Sequence, residues 1–331
     1  MERFALAAAV VLGFALTAAL CSLFVPLRRV LERREQNQQP AQSEQPRPAP
    51  LRAPLWGGLC AAAGTVAAVG VGWLAACVGQ PELLGSEGRL MTRLLTALAG
   101  SLAFGAVGFA EDLARMRSPA ALGLRRDVRL LLEALAAAFV LLLLQAAGCL
   151  PRGLDVPGAG YVLLGSAVPF LWAVLMVVLA ECARIAERDE GTVCGAAFVA
   201  MLALMMAEAG LGVPGLAVLP AALAGALVAL LLWAFPPARL GAGCCGSLLA
   251  AGAIGCIPLS LDMTSLTVPL ALPFWAAGGL LAAQLLCAKR TGKPLRCWVK
   301  KHKMSPETVF LCSFALSAVG YVLALALLRW C

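Results

Sequence analysis

Long apolar stretches alternate with short polar ones along almost the whole chain. Windows of about 18 to 25 residues, enough for a helix to cross roughly 30 Å of hydrocarbon, fall at 4–26, 54–78, 91–110, 129–149, 160–181, 192–210, 214–235, 243–261, 265–288 and 308–328. The pattern predicts an all-α, polytopic membrane protein with about ten transmembrane helices, forming a single integral membrane domain over 1–331. Only "EAGLGVPG" separates the windows at 192–210 and 214–235, so an odd count is the alternative. Behind the first window, Arg28 and Arg29 follow an apolar stretch longer than the core of a cleavable signal, which reads as a retained first helix.

Composition agrees with this pattern. Of 331 residues, 61% are hydrophobic and 13% charged, with a mean hydropathy of +0.88, far from the balance of a soluble domain. Thirteen cysteines are enough for a disulfide framework, but Cys21, Cys60, Cys77, Cys149, Cys182, Cys194, Cys256, Cys287 and Cys312 lie in or at the ends of apolar windows without metal-type spacing. They read as small buried hydrophobes.

Charge gives the orientation. With ten spans, 21 of the 26 Lys and Arg residues fall in the connections 27–53, 111–128 (with Arg129 at a helix mouth), 182–191, 236–242 and 289–307. A bias of this kind marks that side as cytoplasmic and both termini as outside. The expected location is the inner, or cytoplasmic, membrane, with the active face toward the cytoplasm. The stretch 27–53, rich in Arg, Gln and Pro, reads as a flexible cytoplasmic linker. The stretch 289–307 reads as a basic cytoplasmic loop lying against anionic lipid. Membrane lipids are the expected surroundings, no nucleic-acid partner is expected, and a second copy of the chain is a candidate partner.

The acids are placed less ordinarily. "GFAEDLARMR" (108–117) ends an apolar window with Glu111 and Asp112, and "ECARIAERDEG" (181–191) carries Glu181, Glu187, Asp189 and Glu190. A carboxylate at a membrane boundary costs free energy unless it is solvated, paired or bound to a cation. Glu187 and Glu190 stand three apart and share a helix face. Two loops that bring acid pairs to one membrane surface, among Arg115, Arg117, Arg125, Arg126, Arg184 and Arg188, suit a hard cation and a diphosphate. The same residues suit a network of ion pairs at helix mouths. Neither a phosphate-cradling glycine loop, nor a Ser/His/Asp order, nor an internal repeat is evident.

Six motifs in order on the predicted cytoplasmic face carry a family resemblance. They are "APLWGGL" (53–59), "GFAEDLAR" (108–115), "LGLRRDVRLLLEAL" (122–135), "ERDEG" (187–191), "FPPARLGAGCCGSLLAAG" (235–252) and "KRTGKPL" (289–295). Their sequence resembles the polyprenyl-phosphate N-acetylhexosamine-1-phosphate transferases, glycosyltransferase family 4, and within them the phospho-N-acetylmuramoyl-pentapeptide branch of peptidoglycan synthesis. The resemblance implies Mg²⁺-dependent transfer of a sugar-1-phosphate from a UDP-sugar to undecaprenyl phosphate, with a polyprenyl phosphate and a UDP-sugar as partners. By position it implies that Glu111 and Asp112 are catalytic and face the lipid phosphate. It likewise assigns Glu187 and Glu190 to the metal, and Arg115, Arg126, Arg188 and His302 to substrate.

Departures from the family pattern fall on the same motifs. Glu111, Glu187 and Glu190 replace aspartates, and each extra methylene moves a carboxylate by more than the roughly 0.5 Å tolerance of a catalytic shell. Cys244 stands where the family has a metal-facing aspartate, and a thiolate is a poor ligand for Mg²⁺. Ala234, Glu181 and Arg184 stand at asparagine positions, and His302 is alone where the family has a histidine cluster. Two readings remain: a divergent transferase, or a catalytically inactive relative that binds a lipid phosphate or a partner enzyme. A transporter is disfavoured, because the spans hold few ionisable groups beyond Glu133 and Glu208.

Overall fold

The computed structural model describes residues 2–38, 56–79, 88–117, 123–156, 160–163, 165–187, 191–212, 215–236, 238–291 and 305–328. Among the described residues the regular structure is helical apart from one small hairpin. In order it forms α1 (Glu2–Gln38), α2 (Gly57–Gly79), α3 (Gly88–Arg117) and α4 (Arg126–Ala146), then β1 (Gly153–Val156) and β2 (Gly160–Leu163). Next come α5 (Ala167–Ala186), α6 (Thr192–Gly210), α7 (Val218–Ala234) and α8 (Gly243–Ser260). A 3₁₀ turn (Thr264–Leu266) leads to α9 (Thr267–Leu270), α10 (Leu272–Thr291) and α11 (Pro306–Leu328).

Each apolar window contains a helix. Among the described residues seven helices are, by length and composition, able to cross a membrane, or eight if the pair Thr264–Leu270 and Leu272–Ala283, bent by 64°, is one span, against the ten expected. Pro273 follows that bend and lacks the N–H that would reach back across it to the Pro269 carbonyl. α7 has 17 residues, too short for the same criterion, and α4 carries Arg129 and Glu133 on its buried face. The window at 160–181 opens not as helix but as strand β2, paired antiparallel to β1 with Gly153 opposite Leu163 and Asp155 opposite Tyr161. α1 continues as helix to Gln38, into the range 27–53 expected to be a flexible linker, and the rest of that range lies outside the described residues.

α8 lies at the centre, and its whole length is buried. Its sequence, "GCCGSLLAAGAIGCIPLS", places small residues on every side, and close helix packing in a bilayer is made by such residues. Two glycines set its approach to its neighbours near the N-terminus. A Cβ on Gly108 of α3 would collide with the Cys244 carbonyl, and one on Gly58 of α2 with the Gly246 backbone. α7 is buried over most of its length against α1, where Gly225 meets the Val10 backbone.

The outer helices are two-faced. On α4, Arg129, Glu133, Ala136, Ala137, Val140 and Leu144 are buried, while Leu131, Leu135 and Leu142 are exposed. That is the spacing of a helix with one face toward protein and the other toward lipid. Exposed Phe170, Leu171, Val174 and Val178 repeat the arrangement on α5, and Leu311, Val319 and Val322 on α11. Among the cysteines expected to be buried, Cys21, Cys60, Cys77, Cys182, Cys194 and Cys256 are, whereas Cys149 is partly exposed and Cys312 lies on an exposed face. Side-chain placement at Cys287 lies outside the described residues.

Candidate active site

The last turns of α3 bring Glu111, Asp112 and Arg115 to the end of the bundle where α8 begins. Spacing of three and four places the Arg115 guanidinium back over both acids. Its Nη2 donates to Glu111 Oε1 at 2.7 Å, and its Nη1 lies 4.0 Å from Asp112 Oδ1 and 3.9 Å from Glu187 Oε2. One guanidinium therefore touches three carboxylates from two helices.

Asp112 has a different principal partner. The first amides of a helix have no acceptor within it, and they carry the positive end of its dipole. Cys244 N–H donates to Asp112 Oδ1 at 3.0 Å, and Cys245 N–H donates to Asp112 Oδ2 at 2.8 Å. The turn into α8 is made by Gly243 in the left-handed region, φ +67°, a conformation glycine adopts without Cβ strain. Ser247 closes the same turn by donating from Oγ to the Cys244 carbonyl at 3.1 Å. Asp112 is thus a buried carboxylate cap supplied across the α3–α8 contact, which the bare Cα of Gly108 makes close enough.

A chain of alternating charges runs outward from Glu111. Arg129 Nη1 lies 3.5 Å from Glu111 Oε1, and Arg129 Nε donates to Glu181 Oε1 at 2.8 Å. Arg184 Nη2 donates to Glu181 Oε2 at 2.6 Å. Glu133 approaches Arg129 only to 4.0 Å, and both of its oxygens are buried without a hydrogen-bond partner. On the other flank the Cys244 thiol donates to Glu187 Oε2 at 3.8 Å. Burial, with the Asp112 charge beside it and Arg115 only partly opposing them, pushes the Glu187 carboxyl up to about 7.

Of the residues expected in the site, Glu111, Asp112, Arg115, Glu187 and Cys244 are brought together. Arg126 is exposed at the start of α4 and makes no ion pair among the described residues. Arg188, Glu190 and His302 lie outside the described residues. Sequence places Arg129 only among the topogenic charges, yet it links Glu111 to Glu181. Its signal was present: Arg129 and Glu133 stand four apart, in phase with the apolar face of α4 that turns inward.

The described donors by themselves do not fit Mg²⁺, and Glu190 and His302 lie outside the described residues. That ion demands near-octahedral oxygen coordination. Both Asp112 oxygens are held by amides, and Glu111 Oε1 is held by Arg115 and lies near Arg129. The Cys244 position offers soft sulfur. Glu111 Oε2, buried and without a partner, is a single hard donor. Among the described residues no group of three or more His, Cys, Asp or Glu side chains is arranged to hold a metal ion.

A bundle of apolar helices with a carboxylate–guanidinium mouth at one end makes this a polytopic membrane protein. Comparison with known sequences gives the family. The model of glycosyl transferase family 4 matches residues 94–262, about half of the chain and every element that builds the mouth, and the chain belongs to that family. The Mycobacterium tuberculosis (strain H37Rv) phospho-N-acetylmuramoyl-pentapeptide-transferase is 28% identical over 265 residues, covering 72% of each chain. The protein of that name from Desulforudis audaxviator is 34% identical over 170 residues, 48% of this chain and 50% of the relative. The one from Synechococcus sp. (strain RCC307) is 32% identical over 215 residues, 63% and 55% of the two chains.

Proposed function

We propose that this protein is a divergent transferase passing a sugar-1-phosphate, of the phospho-N-acetylhexosamine or phospho-MurNAc-peptide type, from a UDP-sugar to undecaprenyl phosphate in cell-envelope glycan synthesis. The observation that carries the reading is the coincidence of the family match, residues 94–262, with the helices that bring Glu111, Asp112, Arg115, Glu187 and Cys244 to one mouth. In the reaction, an oxygen of the lipid phosphate attacks the sugar-proximal phosphorus of the UDP-sugar. The bond from that phosphorus to the UMP oxygen breaks, UMP leaves, and lipid and sugar are joined through a diphosphate. Arg115 is the described cation nearest the mouth's acids, and with Arg129 and Arg184 it supplies the positive charge a diphosphate requires. Asp112 orients the α8 N-terminus. The family's chemistry is associated with Mg²⁺, but the described donors do not fit that ion, and the guanidinium groups are the charge that the mouth itself provides.

The mouth faces the cytoplasm in this reading, both termini lie outside, and residues 1–331 form one membrane domain. The charge bias along the chain supports that orientation. A homodimer is part of the same proposal.

One observation favours a second reading, a catalytically inactive relative that binds a lipid phosphate or a partner enzyme. The Cys244 thiol occupies the position of a hard ligand, and the surrounding carboxylates are already paired. The test is UMP release by the purified full chain in lipid nanodiscs, with undecaprenyl phosphate and either UDP-N-acetylglucosamine or UDP-MurNAc-pentapeptide. UMP formed together with lipid-linked sugar supports the transferase. Saturable binding of undecaprenyl phosphate without UMP supports the second reading, and absence of both defeats the transferase and the lipid-phosphate binder alike.

A further inference from the structure

α1 and α2 run antiparallel along one seam, and their contacts keep step. A Cβ on Gly72 would meet Ala9, and one on Gly64 would meet the Thr17 hydroxyl, so the backbones approach closely where glycine removes a side chain. One turn further toward the mouth, the thiols of Cys21 and Cys60 share a hydrogen bond. Another turn on, the rings of Phe24 and Trp56 stack with their centroids 5.6 Å apart. The pairs Ala9 with Gly72, Thr17 with Gly64, Cys21 with Cys60 and Phe24 with Trp56 advance together along the two helices, so the register of the whole seam brings the thiols into contact. Both are free thiols, exposed by only 0% and 1%, and Cys194 of α6 lies in the same buried cluster. The proposed reaction uses none of the three.

We propose that Cys21 and Cys60 are a dithiol that closes to a disulfide, stapling α1 to α2 at the edge of the mouth, when a small uncharged two-electron oxidant of the quinone class reaches it. In that step two S–H bonds break and one S–S bond forms. The thiols give up two electrons and two protons, and the quinone takes both and becomes the hydroquinone. A disulfide needs Cα atoms about 5–6 Å apart, so a bridge between helices requires their backbones in close approach, as Gly64 and Gly72 allow here. Thiols and disulfide are both neutral, and closing the bridge leaves no charge in apolar surroundings, whereas a metal would require thiolates there. Burial of this degree excludes charged reagents, which restricts the oxidant to one that dissolves in the bilayer. In the proposed orientation this end of the seam faces the cytoplasm, where thiols are kept reduced and a dithiol that closes acts as a redox sensor.

The staple borders the mouth. Trp56 also meets Phe109 edge-on at 6.5 Å, two residues before Glu111. Gly57 and Gly58, just ahead of Cys60, seat α2 at the entry to α8, where a Cβ on either would collide with the Gly241 carbonyl or the Gly246 amide. A bridge here closes the long loop between its two cysteines, and such bridges stabilise mainly by restricting the unfolded chain. Neither the dithiol nor its closure depends on the proposed transferase activity.

The test treats the full chain in lipid nanodiscs with diamide, an uncharged azo compound that oxidises thiol pairs by the same two-electron change. Remaining thiols are then blocked in denaturant, and the protein is digested with trypsin without reductant. A bridge between the peptides Phe4–Arg28 and Ala53–Arg89 is expected, placed by fragmentation at Cys60 and not at Cys77. The melting temperature is expected to rise by several degrees and to return with dithiothreitol. Cys60→Ala should lose both the bridge and the rise, and Cys194→Ala should keep both. Free Cys21 and Cys60 in folded, diamide-treated wild type would overturn the proposal and leave the two thiols as packing groups only; this arm needs no variant to fold. A bridge from Cys21 to Cys194 would overturn it too, as would a Cys21–Cys60 bridge that leaves the melting temperature unchanged. In a second series decylubiquinone in the nanodisc replaces diamide. The same bridge with loss of the quinone absorbance is expected, and a bridge formed by diamide alone would defeat the assignment of a quinone.

Discussion

Asp112 and Cys244 are joined side chain to backbone across two helices, the carboxylate Oδ1 accepting the Cys244 N–H at 3.0 Å while Oδ2 accepts the next amide, that of Cys245, at 2.8 Å. This relationship makes the acid that ends α3 the cap that begins α8. The entry to the central helix is therefore set by an acid of the mouth, and damage to one reaches the other.

Replacing Asp112 by Ala removes both acceptors and leaves two buried amides facing no partner. Hydrogen bonds to charged groups contribute about 1.5–3 kcal/mol each, so Asp112→Ala is expected to lower the melting temperature by several degrees, and Asp112→Asn by less. Because most of the described cysteines are buried, a thiol-reactive dye reports unfolding directly. An unchanged melting curve for Asp112→Ala would refute the capping role.

Glu187 gives the mouth a pH dependence with a definite sign. Its carboxyl titrates at about 7 in the fold against an ordinary 4.5, because of burial and the neighbouring Asp112 charge. A carboxyl with a raised folded value contributes its full stability below its unfolded value and loses it as pH climbs through the folded one. The melting temperature should accordingly fall between about pH 5 and about pH 8. Glu187→Gln is expected to flatten that part of the profile. If the variant keeps the wild-type slope, another group is responsible.

Cys244→Asp places a carboxylate beside Glu187 and Arg115. With Arg115 present, the new acid is expected to pair with the guanidinium, and the gain in Mn²⁺ affinity to be small. In an Arg115→Met background the same substitution adds a hard oxygen beside Glu111 and Glu187, and Mn²⁺ affinity should rise at least several-fold over Arg115→Met alone. Calorimetry of the two pairs measures this, and equal gains in both backgrounds would show that Arg115 does not compete with the ion for these acids. Sugar-phosphate transfer is not expected from this change alone, since residues that act as a unit do not contribute additively.

Topology is checked by single reporter fusions after Gln39, Gly85, Pro119 and Lys300. The charge bias predicts Gln39, Pro119 and Lys300 on the cytoplasmic side and Gly85 outside. A Gly85 fusion that reports with Gln39 would show that α2 does not cross the membrane and would reverse the orientation of every later span.

Much of this protein was settled by sequence alone. Each of the ten apolar windows contains a helix, because hydropathy over some twenty residues, in a solvent that forbids unpaired backbone groups, leaves the helix as the only local solution. The family was legible for a related reason: its motifs are short, contiguous and fall in order, so they survive as text. Glu111, Asp112 and Arg115 belong to one such motif, and their contacts at three and four residues come from helical periodicity.

Tertiary structure decided the partners. Asp112 meets the amide of Cys244, 132 positions away, only because Gly108 lets two backbones touch. Arg129 meets Glu181, 52 positions away, because the buried face of α4 turns them toward each other. The bend between Leu270 and Leu272 and the strand at Gly160–Leu163 likewise depend on packing and on prolines whose effect a window average does not register. Hydropathy and spacing are properties a segment carries by itself. Which carboxylate receives an amide, which receives a guanidinium and whether room is left for a metal depend on how the helices are rotated and how closely they approach, and those are fixed only when all of them pack at once.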